Sequence, residues 1–533
     1  MELLTGFTSK EFIEQITILQ EIESQKNQEV LPDLLELCKS IPADGSLSYM
    51  LENALKAVLS ENEVATVNEL GLEHDRLKRL CIQLSGQKQF KSAGPVLTGL
   101  LETTREPDLL FDIFSALSLI KLPESLGVFQ QHMTHSTATI STLCIEMIGS
   151  YGDSSSVPGL CELVETAEQN DRFLECEFAT IKAIEALGAI RDDRAVSFLC
   201  TKIHHRNPRA RQVIHEQLLQ IGPDILPYLS GYFDQYDVDN KIMAANILGE
   251  MGSREGGDIL VEAMDKGAAD HPNTRFAIYE AFGKFFFMKG LACLVDGLFE
   301  ENETVLMAVV SSLDKQINPG VVKKIETLVC AEDARRASQS SRLIRAIISA
   351  KAVSIFEALY KVPSVAGLLV ERISVSNDPE IISAFMEKLN QMTGAQAQAD
   401  AARLDRLTLK KVGKKVLAVD GSAPILLFYR SVASMLGIDI VTAVNGREAL
   451  DLLEDGQTFD MIITDMNLPV MNGIEFIREV RLNPWLADIQ IIMATTESDS
   501  SQVQLAENAG GNDFLIKPFT ADSLQAKLEG LIF

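Results

Sequence analysis

"IITDMNLPVMNG", residues 462–473, is a β-branched run that stops at Asp465, passes Pro469 and reaches Gly473. Such a run, bounded by turn residues, reads as a short buried strand, a loop and the start of a helix. Working outward, "KVLAVD" (415–420) and "DIVTAV" (439–444) precede it, and "IQIIMAT" (489–495) and "DFLIKP" (513–518) follow. Amphipathic stretches such as "PILLFYRSVASMLG" (424–437) and "GIEFIREVRL" (473–482) lie between them. Strands and helices that alternate in this way predict an α/β fold with a doubly wound parallel sheet.

In such sheets functional side chains gather at the carboxyl ends of the strands. Those ends carry Asp420, Asp465, Thr495 and Lys517. Each alone is an ordinary helix cap, packing threonine or solvated lysine. Together, "VLAVD", "IITDMNLPVMNG", "IIMATTES" and "FLIKPF" closely resemble the receiver domain of bacterial response regulators, the chemotaxis-regulator type included. The resemblance covers residues 413–533 and implies a flavodoxin-like (βα)5 fold.

It also implies roles. Asp465 would be the phospho-acceptor, served by a histidine kinase or phosphotransfer protein. Lys517 would supply a cation and Thr495 a hydroxyl for the phosphoryl oxygens, and Thr495 and Phe514 would form a switch pair. Asp420, Asp465 and the backbone carbonyl of Asn467 would hold Mg²⁺, and Asn467 with Glu497 would tune loss of the phosphoryl group. The chemistry is intelligible from the residues, since a carboxylate can attack phosphorus when cations neutralise the other oxygens. One position departs from the pattern: the family has two adjacent acids after the first strand, and here Asp420 is followed by Gly421. Water can fill a vacated ligand position on Mg²⁺, so weakened metal binding is expected rather than none.

Residues 28–390 have helical period almost throughout and repeat themselves. "CIEMIGSYGDSSSVPGLCELV" from Cys144, "AIEALGAIRDDRAVSFLCTKI" from Ala183, "AANILGEMGSREGGDILVEAM" from Ala244 and "AIYEAFGKFFFMKGLACLVDGL" from Ala277 align on Gly149, Gly188, Gly249 and Gly283. Two helices per unit, at a period of roughly 30–40 residues, predict an all-α solenoid. These segments resemble HEAT repeats, which implies a protein-binding role. The aligned glycines are expected where two helix backbones approach.

The expected organisation is an N-terminal helical segment (1–27), the solenoid (28–390), a linker, partly helical (391–412), and the receiver (413–533). Length and composition support a folded chain of several domains: 533 residues, 46% hydrophobic and 23% charged. A formal charge of −27 argues against general nucleic-acid binding, which needs concentrated Lys and Arg. The N-terminus has no basic segment leading into an apolar core, and no apolar run is long enough to span a bilayer, so a cytoplasmic protein without membrane insertion is expected.

The eight Cys are scattered, which supports neither a disulfide framework nor a zinc site. His132 and His135 lack ligand partners at matching spacing. "IHHRNPRARQ" (203–212) reads as a solvated turn. The leading reading is a two-component regulator, not an enzyme, whose solenoid binds an unidentified protein. The alternative is a constitutive scaffold with a silent receiver.

Overall fold

The structure, a computed structural model, describes residues 4–41, 46–71, 74–169, 178–330, 334–496 and 500–530. The chain divides into two compact units. One comprises residues up to Gln169 together with the helix Phe178–Ile190, and the other runs from Val196 onward.

In the first unit alternate helices stack: Asp75–Lys88 on Pro107–Ile120, Pro107–Ile120 on Ala138–Tyr151, and Ala138–Tyr151 on Phe178–Ile190. The same rule governs the second unit. Pro208–Ile221, Val238–Met251, Pro272–Phe282, Glu303–Lys315, Ala334–Ser349 and Pro363–Ser374 pack in succession as one layer. Leu226–Tyr232, Arg254–Asp265 and Met288–Asp296 pack in succession beside them. Such packing of each helix on the next-but-one is what a solenoid-like array requires.

Local chemistry sets where these helices start. Asn207, His271, Asn318 and Asp378 each cap a helix with a side-chain acceptor and are followed by proline at the first helical position. The glycines act between helices. A Cβ on Gly149 would lie 3.0 Å from the Cα of Ala186, and one on Gly249 would lie 2.8 Å from the Cα of Ala281. Neighbouring backbones touch at these points.

One feature corrects the expectations and two add to them. Residues 391–412 contain the helix Ala395–Asp405, which buries Ala397, Ala401 and Leu404 against the array and accepts a 2.6 Å hydrogen bond from Tyr360 Oη at Asp400. Helical packing therefore continues to residue 405, and the irregular connection is shorter. The 203–212 stretch is not a solvated turn: His205, Asn207 and Arg211 are buried, because Asn207 caps the next helix and Arg211 lies on its inner face. Finally, "TVLMAVV" in the helix Glu303–Lys315 is buried on every side from Thr304 to Val310. A helix apolar all round has neighbours all round, and here the extra neighbour is the receiver helix Ala423–Leu436.

The C-terminal domain is a five-stranded parallel sheet, ordered β2-β1-β3-β4-β5, with β1 Lys415–Val419, β2 Asp439–Ala443, β3 Met461–Asp465, β4 Gln490–Thr495 and β5 Asp513–Ile516. The central strands are buried on both faces, which explains their near-continuous apolar sequence. One face carries Leu417, Ile462, Ile491, Met493 and Phe514, packed with the helices Gly446–Glu454, Gly473–Leu482 and Ser500–Ala509. The helices Ala423–Leu436 and Ala521–Glu529 pack together, with Phe428 and Tyr429 against Phe519.

Seven described cysteines are free thiols, and Cys176 lies outside the described residues. Burial pushes Cys81, Cys144 and Cys200 up to about 12, whereas Cys330 is exposed. A thiolate-directed reagent at pH 7.5 is expected to modify Cys330 at least tenfold faster than those three. Equal rates by peptide mass mapping would contradict the packing.

Candidate functional site

The strand ends converge because the strands are parallel and in register. Val416 pairs with Met461, and Asp465 at the end of β3 lies beside Ala494, one residue before Thr495. The loop after β3 is held close. A Cβ on Gly473 would collide with the Asp465 carbonyl, and the helix from Gly473 starts with a capping box between Asn472 and Glu475. Val470, in that loop, adopts φ +66°, a costly backbone for a β-branched residue.

Lys517 enters from β5. Its Nζ lies 2.7 Å from Asp420 Oδ2 and 2.9 Å from Asp465 Oδ1. Its backbone N–H donates to the Thr495 carbonyl at 2.7 Å, which ties the ends of β4 and β5 together. The backbone N–H of Asn467 donates to Asp465 Oδ2 at 3.2 Å, and that of Ser422 donates to Asp420 Oδ1 at 2.9 Å.

Both aspartates and Thr495 are buried. Burial pushes the Asp420 carboxyl up to about 6, against the pull of Lys517. Burial would lower the Lys517 ammonium, but Asp420 and Asp465 outweigh it and hold it well above its ordinary value.

Asp420, Asp465, Asn467 and Lys517 therefore border one site, with Thr495 at the adjoining strand end. Phe514 is half-buried in β5, paired with Met493 and so on the same sheet face as Thr495 two residues on. Glu497 lies outside the described residues.

Two carboxylates that share one lysine make an oxygen donor set suited to a hard divalent cation. Among the described residues no three His, Cys, Asp or Glu side chains form a ready cage.

No local pattern of residues marks what lies opposite. The site opens into a cavity of about 530 Å³ whose far wall is the helical array, including Arg211, His215, Asn273, Glu280 and Lys284. His215 Nε2 lies 2.8 Å from Glu250 Oε2, and Lys284 Nζ lies 3.4 Å from Glu250 Oε1. Burial pushes the Glu280 carboxyl up, with Lys284 opposing.

Polar contacts pin the receiver there. Asn273 Nδ2 donates to the Lys517 carbonyl at 2.9 Å. Asn377 Nδ2 donates to the Ser434 carbonyl at 2.5 Å, Ser434 Oγ donates to Asp378 Oδ2 at 3.2 Å, and Arg430 pairs with Glu380 at 3.0 Å.

Sheet order, converging acids and bridging lysine together define a response regulator receiver. The family model described as "Response regulator receiver domain" matches residues 416–529. A chemotaxis protein CheY homolog of Campylobacter jejuni is 39% identical over 119 residues, covering 22% of this chain and 92% of that protein. Chemotaxis protein CheY1 of Helicobacter pylori is 38% identical over 116 residues, covering 22% and 94%. The solved chemotaxis response regulator CheY4 of Vibrio cholerae is 36% identical, covering 22% of this chain and 98% of its own, at a TM-score of 0.21. Through its C-terminal domain the chain belongs to the response regulator receiver family. Among the described residues no helix is long and apolar enough to cross a membrane.

Proposed function

We propose that the chain is a two-component response regulator in which Asp465 takes a phosphoryl group from a histidine kinase or phosphotransfer protein and the HEAT-like array delivers the output as protein binding. The observation that carries this reading is the Lys517 ammonium held between Asp420 and Asp465 at the carboxyl end of the sheet.

In the reaction, an Asp465 Oδ–P bond forms as the P–N bond of the donor's phosphohistidine breaks, and the imidazole leaves. Lys517 offsets charge on the transferred oxygens, and the Thr495 hydroxyl bonds one of them. Asp420, Asp465 and the Asn467 carbonyl would hold Mg²⁺, which supplies further neutralisation when bound. Asn467 and Glu497 tune hydrolysis of the aspartyl phosphate. The bond Thr495 makes draws on Phe514 from the same sheet face, altering the receiver surface. The role is regulatory rather than enzymatic, and the setting is the cytoplasm.

Gly421 favours a second reading, a silent receiver on a constitutive scaffold. Intact-mass spectrometry after incubation with a small phospho-donor over a Mg²⁺ series separates the two. The parent is expected to gain one labile phosphoryl group that Asp465→Asn does not, and Gly421→Asp is expected to label at lower Mg²⁺. Labelling of Gly421→Asp alone would establish the silent receiver.

A further inference from the structure

The backbone at residue 421 does not demand glycine. A Cβ built there would meet only Pro469 Cδ, at 3.4 Å, an ordinary contact. The missing acid therefore leaves room rather than relieving a clash. Across the cavity stands the helix Pro272–Phe282, on which Asn273, Ala277 and Glu280 share one face by their spacing and line the same cavity as Asp420, Gly421 and Asp465.

The Asn273 bond to the Lys517 carbonyl fixes this helix against the end of β5. Two turns on, Glu280 lines the same cavity as Ser422, the residue next to Gly421. Ser422 Oγ is itself buried without a partner in regular hydrogen-bond geometry. Lys284, the cation nearest in sequence, is shared between Glu280 and Glu250.

We propose that Glu280 supplies, from the helical array, the negative charge that Gly421 no longer gives a divalent cation held at Asp420 and Asp465. The inference rests on reading the receiver as a metal-dependent phosphoryl acceptor. With a cation bound and all four groups ionised, Asp420, Asp465 and Glu280 against Lys517 leave two negative charges, matching a divalent ion. Among the described residues Asp420, Asp465 and Glu280 do not form a cage of three ligands, so Glu280 would act through the ion's own water shell, as Mg²⁺ permits. Metal binding would then fasten receiver and array together, because its charge complement is divided between them.

The test uses Mn²⁺ as the probe. Free Mn²⁺ is followed by electron paramagnetic resonance in titrations of the full chain as parent, Glu280→Gln, Gly421→Asp and the double variant, and of Asp465→Asn in the parent and Gly421→Asp backgrounds. Glu280→Gln is expected to weaken binding about 10–100-fold in the parent and less than about 3-fold beside Gly421→Asp, where the local acid makes the remote one redundant. Mn²⁺ is also expected to slow hydrogen exchange in residues 272–282 of the parent but not of Glu280→Gln.

An unchanged affinity in Glu280→Gln, or an equal loss in both backgrounds, overturns the inference. So does binding by Gly421→Asp with none by the parent, although that leaves the receiver reading standing. If Asp465→Asn changes Mn²⁺ binding in no background, the metal is not at the receiver site, and the reading beneath the inference fails as well.

Discussion

Lys517→Met is expected to cost the strand ends about 3–5 kcal/mol of local stability at neutral pH, because it leaves two buried carboxylates without their shared cation. Lys517 Nζ is within 2.9 Å of both, and neither aspartate is open to solvent. Hydrogen exchange over residues 415–420 and 461–465 in the full chain, variant against parent at each pH, measures the effect. The sign of its pH dependence follows from Asp420. A carboxyl whose folded-state pKa is raised contributes stability that is complete below its unfolded value of about 3.9 and is lost as pH rises through the folded value. In the parent that loss begins near the unfolded value of about 3.9 and is complete once pH passes about 6, with Lys517 pulling the upper value down. Without Lys517 it moves higher still and the penalty for ionisation grows. The deficit of the variant should therefore be largest near pH 7.5 and shrink toward pH 5. Equal protection of variant and parent at both would mean that the lysine does not carry the charge balance of the site.

Gly249→Val is expected to destabilise the second unit by about 3 kcal/mol, since overpacking a tight contact forces backbone to move. A Cβ at 249 would lie 2.6 Å from the Ala281 Cβ and 2.8 Å from its Cα, and neither can rotate away. The added side chain sits between Val238–Met251 and Pro272–Phe282, so it pushes Glu280 out of place as well. Urea denaturation of the full chain, with hydrogen exchange to locate the change, measures it. A loss confined to residues 238–251 would mean that the helices are not closely coupled there, whereas a loss extending into 272–282 is the expected result.

Much of this was legible in the sequence, for reasons specific to certain residues. The strands of the receiver were visible because burial on both faces makes them continuous apolar runs, and the residues at their ends follow from parallel register. The glycines at 149 and 249 were visible because a backbone contact tolerates no side chain. What could not be read was any pairing between distant segments. Glu280 and Ser422 line one cavity although they are far apart in the chain, and nothing local to either marks the meeting. The burial of Arg211 was hidden for the same reason, since a basic island looks solvated until its neighbours are known. A signal did exist for the docking of the receiver: the helix Glu303–Lys315 is apolar on more faces than one layer of array needs, and that surplus marks a second partner.

The cavity over Asp465 has a kinetic meaning. At about 530 Å³ it holds a small molecule, but a phosphohistidine borne on a helix arrives on a body about 10–12 Å across. If Asp465 is the phosphoryl acceptor proposed above, small donors would reach it by diffusion, whereas a protein donor would have to wait for the walls to part. Turnover with a kinase would then be paced by how often the Asn273, Asn377 and Arg430 contacts let go, and the chamber would serve as a sieve that distinguishes donors by girth before any recognition begins.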